Sequence, residues 1–346
     1  QKPYFLKTKG IEKSAYIRIG STNRIADLSI INELKRQNLN KSYDEEIVYQ
    51  YTCDDLSEDK IELFKRSFQT TGINSRELLH REKFVFKTDG TCYPTVGGLL
   101  LFCDRLPQDY DYAGISVSVY ISPDRSHLLN SIQLLDGLLV LPEIAVNTVS
   151  EYLHTRIEIS DLKRNEQLEI PVITLREAII NAICHRDYSI TGSNTKIDIF
   201  PDRVEIINPG NLPIGISLED LGEGASEIRN KLIARAFRRY GYMEHLGTGI
   251  SRMKAACNKA GLPEPEFEEV GRYFKVTLKR RMQDLIEIEK AILDCLENVK
   301  VAKTRDIAKK LNVHPNTILN YMYRLLQKGL VEKLGRGPNV RYRIKM

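Results

Sequence analysis

Residues 171–189, PVITLREAIINAICHRDYS, decide how the rest of the chain is read. Leu175, Ala178, Ile179, Ala182 and Ile183 recur at the spacing of one buried helical stripe, which sets Glu177 and Asn181 together on another face. Ile180 also lies off the stripe, so that second face is partly covered, by protein or by a ligand. A carboxylate and an amide one turn apart suit activation of a water and the holding of Mg²⁺, an ion that takes oxygen ligands and needs few of them from protein. The same residues also have a reading without chemistry. Thr174 caps the helix, and Glu177 reaches back to the Thr174 N–H in a capping box.

The rest of the chain bears on that choice. Its 346 residues, 42% apolar, are enough for two or three domains with real cores. The longest apolar run, 132–146, is broken by Asp136, Pro142 and Glu143, so no membrane span and no membrane partner are expected. No secretory leader is visible, and the opening on Gln1 suggests that upstream sequence has been removed. The six cysteines include no C-x-x-C pair, which favours free thiols, a reducing compartment and a cytoplasmic location. Charge is divided by region: from 300 to 346 there are twelve Lys or Arg against Asp306 and Glu332, while the whole chain carries only +5. That basic end has the sign that attracts phosphate backbones.

Residues 1–50 open in strand-like sequence followed by an amphipathic helix near 25–36. Helical segments are expected at 58–68, 75–81 and 95–102, a strand at 114–121, and mostly helix over 128–157. Residues 196–200 and 203–207 alternate at period two around Pro201-Asp202 and read as a hairpin that empties into the turn Asn208-Pro209-Gly210. A helix near 229–240 follows. Gly247-Thr248-Gly249 then leads into another helix, an arrangement that brings backbone N–H groups to a phosphate or simply makes a turn. His185-Arg186-Asp187 and Cys184-His185 look like catalytic fragments but lack the partners such chemistry requires, so packing and local hydrogen bonding are expected of them.

Taken together, ITLREAIINAICHRDYS, DRVEIINPGNLP, SEIRNKLIARAF, GYMEHLGTGISRM and GLPEPEF resemble the C-terminal ATPase-like domain of the RecG-related transcriptional regulators, a divergent branch of the GHKL nucleotide-binding fold. PYFLK and YIRIGSTNR resemble the end of the Schlafen AlbA-like domain that precedes it in that family, and YPTVGGLLLF also fits. The resemblance implies an α+β chain, a Bergerat-like α/β sandwich with a C-terminal winged helix-turn-helix. Its expected divisions are 1–50 (AlbA-like remnant), 51–165 (α/β scaffold), 166–281 (GHKL ATPase-like) and 283–346 (winged helix). It also implies ATP and Mg²⁺ as cofactors, with Glu177 as the water-activating base and Asn181 as the Mg²⁺ ligand. Asn208 and Gly210 fall at the adenine-binding turn, and Gly247, Thr248 and Gly249 at the lid glycines. Arg229, Lys231 and His245 lie near the phosphates. One departure stands out: where the family carries an acid for the adenine amino group, this chain has Asn208, whose carbonyl accepts more weakly. No Gly-x-x-x-x-Gly-Lys-Ser/Thr loop is present, which argues against a P-loop motor.

The basic end reads as helix, helix, short turn, helix, hairpin. Ile288, Ala291, Ile292, Cys295 and Leu296 form the first stripe, and Ile307, Ala308 and Leu311 the second behind a cap at Thr304. The third, Ile318, Met322, Leu325 and Leu326, begins at Pro315 and ends at Gly329. In such a module the third helix enters the major groove. Asn316, Thr317, Asn320, Tyr321 and Arg324 are then the base-contact candidates, while Lys303, Arg305, Lys309, Arg336, Arg341 and Arg343 meet phosphate. The expectation is a nucleotide-responsive regulator of double-stranded DNA, acting as a homodimer. Its rivals are an ATP-hydrolysing nucleic-acid enzyme and a degenerate GHKL scaffold whose winged helix carries all function.

Overall fold

The computed structural model describes residues 5–345 apart from 20–21, 27, 69–71, 73, 154, 161–162, 214–215, 223–226, 244–246, 281 and 338–339. Its centre is a six-stranded sheet built from β1 (Ile115–Tyr120), β2 (Leu128–Leu134), β3 (Thr195–Ile199), β4 (Arg203–Pro209), β5 (Glu266–Val270) and β6 (Tyr273–Lys279). The spatial order is β5-β6-β4-β3-β1-β2. Only β1 and β3 pair in parallel; the other neighbours are antiparallel. The expected hairpin is β3–β4, with Ile206 opposite Ile197.

One face of the sheet is apolar. Val204, Ile206 and Asn208 alternate onto it from β4 and are buried. The site helix, Val172–His185, packs across β4, with the docking helix, Leu141–Ser150, and the glycine helix, Gly249–Lys259, against its sides. On the other face Asp198 and Glu205 stand side by side, bridged by Arg125 at 3.0 and 2.5 Å. A layer of helices on one sheet face is the sandwich that the alternation in β4 requires.

Residues 128–134 form edge strand β2, not the expected helix, and helix begins only at Leu141. An edge strand buries little of either face, so its sequence has no clean alternation to display. The expected boundary at 165–166 runs through a shared structure: β1 and β2 lie in the same sheet as β3–β6, over one core that extends from Val48 to Leu278. The preceding segment is fastened to this body by Asp44. Its buried carboxylate accepts from the Leu232 and Ile233 N–H groups, at 2.8 and 2.9 Å, at the start of the helix Lys231–Arg239. Burial pushes that carboxyl up to about 6.

A second core gathers Ile292, Leu296, Ile307, Ile318, Met322 and Leu325 from the helices Met282–Val299, Thr304–Leu311 and Pro315–Gln327, closed by the hairpin Val331–Leu334 and Arg341–Ile344. This is the expected winged helix. The expectation of free thiols holds for the buried Cys103, Cys184, Cys257 and Cys295 but not for Cys53 and Cys92, which form a disulfide. The two are 39 residues apart, and it is the fold that brings their Cα atoms within 5.5 Å, so spacing alone does not reveal the pair. Among the described residues no helix is long and apolar enough to cross a membrane.

Candidate functional site

The site helix, the turn after β4 and the start of the glycine helix converge on one open cavity of about 170 Å³. Its floor is Ile206, Asn208, Phe274 and Val276 from the sheet; Ala178, Asn181, Ala182 and His185 line it from the site helix. Gly247, Thr248, Gly249 and Arg252 close one end. Thr174 does not cap the helix. It sits inside the first turn, fully buried, and its hydroxyl faces Met253 O and Cys257 Sγ of the glycine helix. Glu177 is therefore not in a capping box; its Oε2 accepts from Arg252 Nη2 at 3.1 Å.

Glu177 also explains a glycine. A Cβ at position 249 would overlap the Glu177 carboxylate, so any other residue there would require that side chain to move from its present place. Gly210 is required for two reasons: its φ of +106° is unfavourable for other residues, and a Cβ there would strike Asp187 and the Arg229 guanidinium. Arg252 was not foreseen, although it lies one helical turn beyond Gly249 and so on the same side of the helix entry. Thr195 was missed as well. Its hydroxyl donates to Asn208 Oδ1 at 2.9 Å, and nothing in strand periodicity announces that contact.

Two of the predicted phosphate ligands lie elsewhere. Arg229 donates to the carbonyls of His185 and Asn211, at 3.1 and 2.9 Å, and Lys231 Nζ to Asn40, at 2.9 and 2.6 Å. Both line a neighbouring polar cleft instead of this cavity. Sequence proximity to the lid cannot show that backbone carbonyls have already engaged these cations. His245 lies outside the described residues. His185 opens on the cavity, and burial, with Arg229 nearby, pushes its imidazole down to about 4. Arg186, by contrast, is wholly buried, donating to the carbonyls of Tyr112 and Ile190 at 3.0 and 2.9 Å, in keeping with the packing and local hydrogen bonding expected of it.

For a divalent cation the cavity offers Asn181, whose side chain lines the wall. Among the described residues no group of three or more His, Cys, Asp or Glu is placed to hold a metal. The Asn181 amide oxygen alone would leave such an ion to take most of its ligands from phosphate oxygens and water, as Mg²⁺ can.

The reading helix, Pro315–Gln327, does not present the base-contact candidates to solvent. Thr317, fully buried, donates to the carbonyls of Glu151 and Leu153 at 2.7 and 3.2 Å, just beyond the docking helix, and Asn316 Nδ2 donates to Glu151 Oε2 at 3.0 Å. Asn320 is buried, Tyr321 belongs to the winged-helix core, and Arg324 pairs with Glu289 at 3.1 Å. All five candidates face protein. A helical stripe identifies the face turned to its own core, but not which remaining face another part of the chain covers. The phosphate-contact candidates fare differently: Arg305, Lys309, Arg336, Arg341 and Arg343 are exposed, Arg343 beside Glu332, and Lys303 is half-buried.

The class is thus an α/β sandwich joined to a winged helix. Residues 192–278 match the family model described as "Putative ATP-dependent DNA helicase recG C-terminal", and residues 277–337 match "Iron dependent repressor, N-terminal DNA binding domain". The chain carries a RecG C-terminal-like domain of ATPase type followed by a repressor-like winged-helix DNA-binding domain. Glu177 and Asn181 lie ahead of the first match. Among solved structures, the DIP2311 protein from Corynebacterium diphtheriae shares this fold, with a TM-score of 0.58 and 18% identity over 96% of this chain and 70% of that one. No curated protein matches the chain.

Proposed function

We propose that the protein is a DNA-binding regulator whose cavity binds a nucleoside triphosphate and thereby controls a docked reader. The observation that carries this reading is the docking itself. The first turn of the reading helix is bonded to the body through Asn316 and Thr317, while the basic wing and the helix Thr304–Leu311 remain in solvent. Phosphate attraction is available in this state, but base reading is not.

Two features support a reversible contact. Asn320 Oδ1 and Tyr321 Oη are buried without hydrogen-bond partners among the described residues, each at a cost of about 1–3 kcal/mol that exposure to water would relieve. The docking helix also packs on the site helix, so the cavity wall and the reader's seat share a continuous contact. The resemblance makes ATP the first ligand to test. Gly249, Thr248 and the glycine-helix start would take the phosphates, and Glu177 holds Arg252 at that end. Asn181 would hold Mg²⁺, which when bound would neutralise phosphate charge. The reading takes the protein to act in the cytoplasm as a homodimer, with residues 1–50 as the end of an AlbA-like domain.

Calorimetric titration of the intact chain with Mg-ATP, Mg-GTP and Mg-ITP tests the ligand half. Binding of at least one is expected below millimolar. In Gly249→Val, whose side chain would meet the Glu177 carboxylate, affinity should fall by about tenfold or more. No heat from any of the three at millimolar concentration would remove the nucleotide from the reading.

A further inference from the structure

The apolar end of the cavity has a definite hydrogen-bonding polarity. Asn208 is buried on the floor, flanked by Ile206 on its own strand and by Phe274 and Val276 on β6. Its carbonyl oxygen is taken by the Thr195 hydroxyl at 2.9 Å. A planar amide with its oxygen turned to Thr195 directs its NH₂ elsewhere, and among the described residues no acceptor meets that group. The backbone at the same turn is also engaged: the Gly210 N–H donates to Arg272 O and the Asp187 N–H to Pro209 O, both at 2.9 Å. What the floor leaves for a ligand is a donor.

That polarity discriminates between bases. Adenine presents an exocyclic amine, and an amine against the Asn208 NH₂ would set donor against donor. Guanine and hypoxanthine present a carbonyl oxygen at the same ring position, which accepts. Their adjacent ring N–H suits a neutral imidazole, and His185, which lines the same cavity, is neutral near pH 7. The space, about 170 Å³, is comparable to cavities of roughly 150 Å³ that admit an aromatic ring.

From this we infer that the cavity selects a 6-oxopurine nucleotide over an adenine nucleotide, with Asn208 as the specificity-determining residue. The inference rests on the nucleotide reading above and departs from the ATP that the resemblance suggests. A site whose buried donor loses its acceptor rejects the mismatched ligand by an order of magnitude or more.

The test compares Mg-ITP, Mg-GTP and Mg-ATP on the intact protein, then on Asn208→Asp. In the unaltered chain Mg-ITP should bind about tenfold or more tighter than Mg-ATP, and Asn208→Asp, which replaces the donor by an acceptor, should reverse the ratio. Thr195→Val gives a second route: with the hydroxyl gone, Asn208 is free to turn its carbonyl to the ligand, and the ITP-to-ATP preference should shrink. Mg-ATP bound as tightly as Mg-ITP by the unaltered chain overturns the inference and leaves the nucleotide reading intact. So does a ratio unmoved in both variants. No binding of any of the three overturns both.

Discussion

The cavity and the reading helix present similar side chains under opposite conditions. Asn181, His185 and Asn208 line open space in a largely apolar hollow, whereas Asn316, Thr317 and Asn320 are covered by the body of the same chain. The first arrangement leaves polar groups for a ligand to satisfy. The second satisfies some and strands others, Asn320 Oδ1 among them. Burying a polar surface incompletely is a weak way to build a permanent interface, and it suits one that has to open.

The largest effect should follow from prising the reader off its seat. Glu151→Lys removes the acceptor for Asn316 and sets a like charge against a basic domain, without touching the winged helix. DNA affinity in a fluorescence anisotropy titration should rise by about 10- to 100-fold, with a steeper dependence on salt as more phosphates are engaged. Unchanged affinity would mean that the docked face is not what DNA meets.

A smaller effect belongs to the cavity. His185 has a folded value near 4 against about 6.5 when unfolded. Its contribution to stability is complete above 6.5 and declines as pH falls from there towards 4, because the unfolded chain takes the proton first. On the order of 1–3 kcal/mol should disappear across that window. Thermal melts at successive pH values should show a flatter profile for His185→Gln, and parallel profiles would place the acid sensitivity elsewhere.

Much of the fold was legible because its signals are local. The stripe from Leu175 to Ile183, the alternation through Val204 and Ile206, and the Pro315 start of the reading helix each depend on a few neighbouring residues. The convergence of Glu177 with Gly249 came from resemblance, and the structure gives it a physical reason in the missing Cβ. What escaped is non-local. The Cys53–Cys92 pair, the engagement of Arg229 and Lys231 by backbone carbonyls and by Asn40, the Thr195–Asn208 bond and the covering of Thr317 all join residues that periodicity treats as unrelated. Edge strand β2 escaped for a different reason, since it shows little burial to either side.

The most direct test of coupling between cavity and reader is the affinity of the intact chain for double-stranded DNA, measured by anisotropy at one fixed salt concentration with and without saturating Mg-ITP. The expected result is a shift of about fivefold or more that vanishes in Gly249→Val, within the usual range for coupled sites. Equal affinities with and without nucleotide, in a chain shown by calorimetry to have bound it, would contradict the coupling.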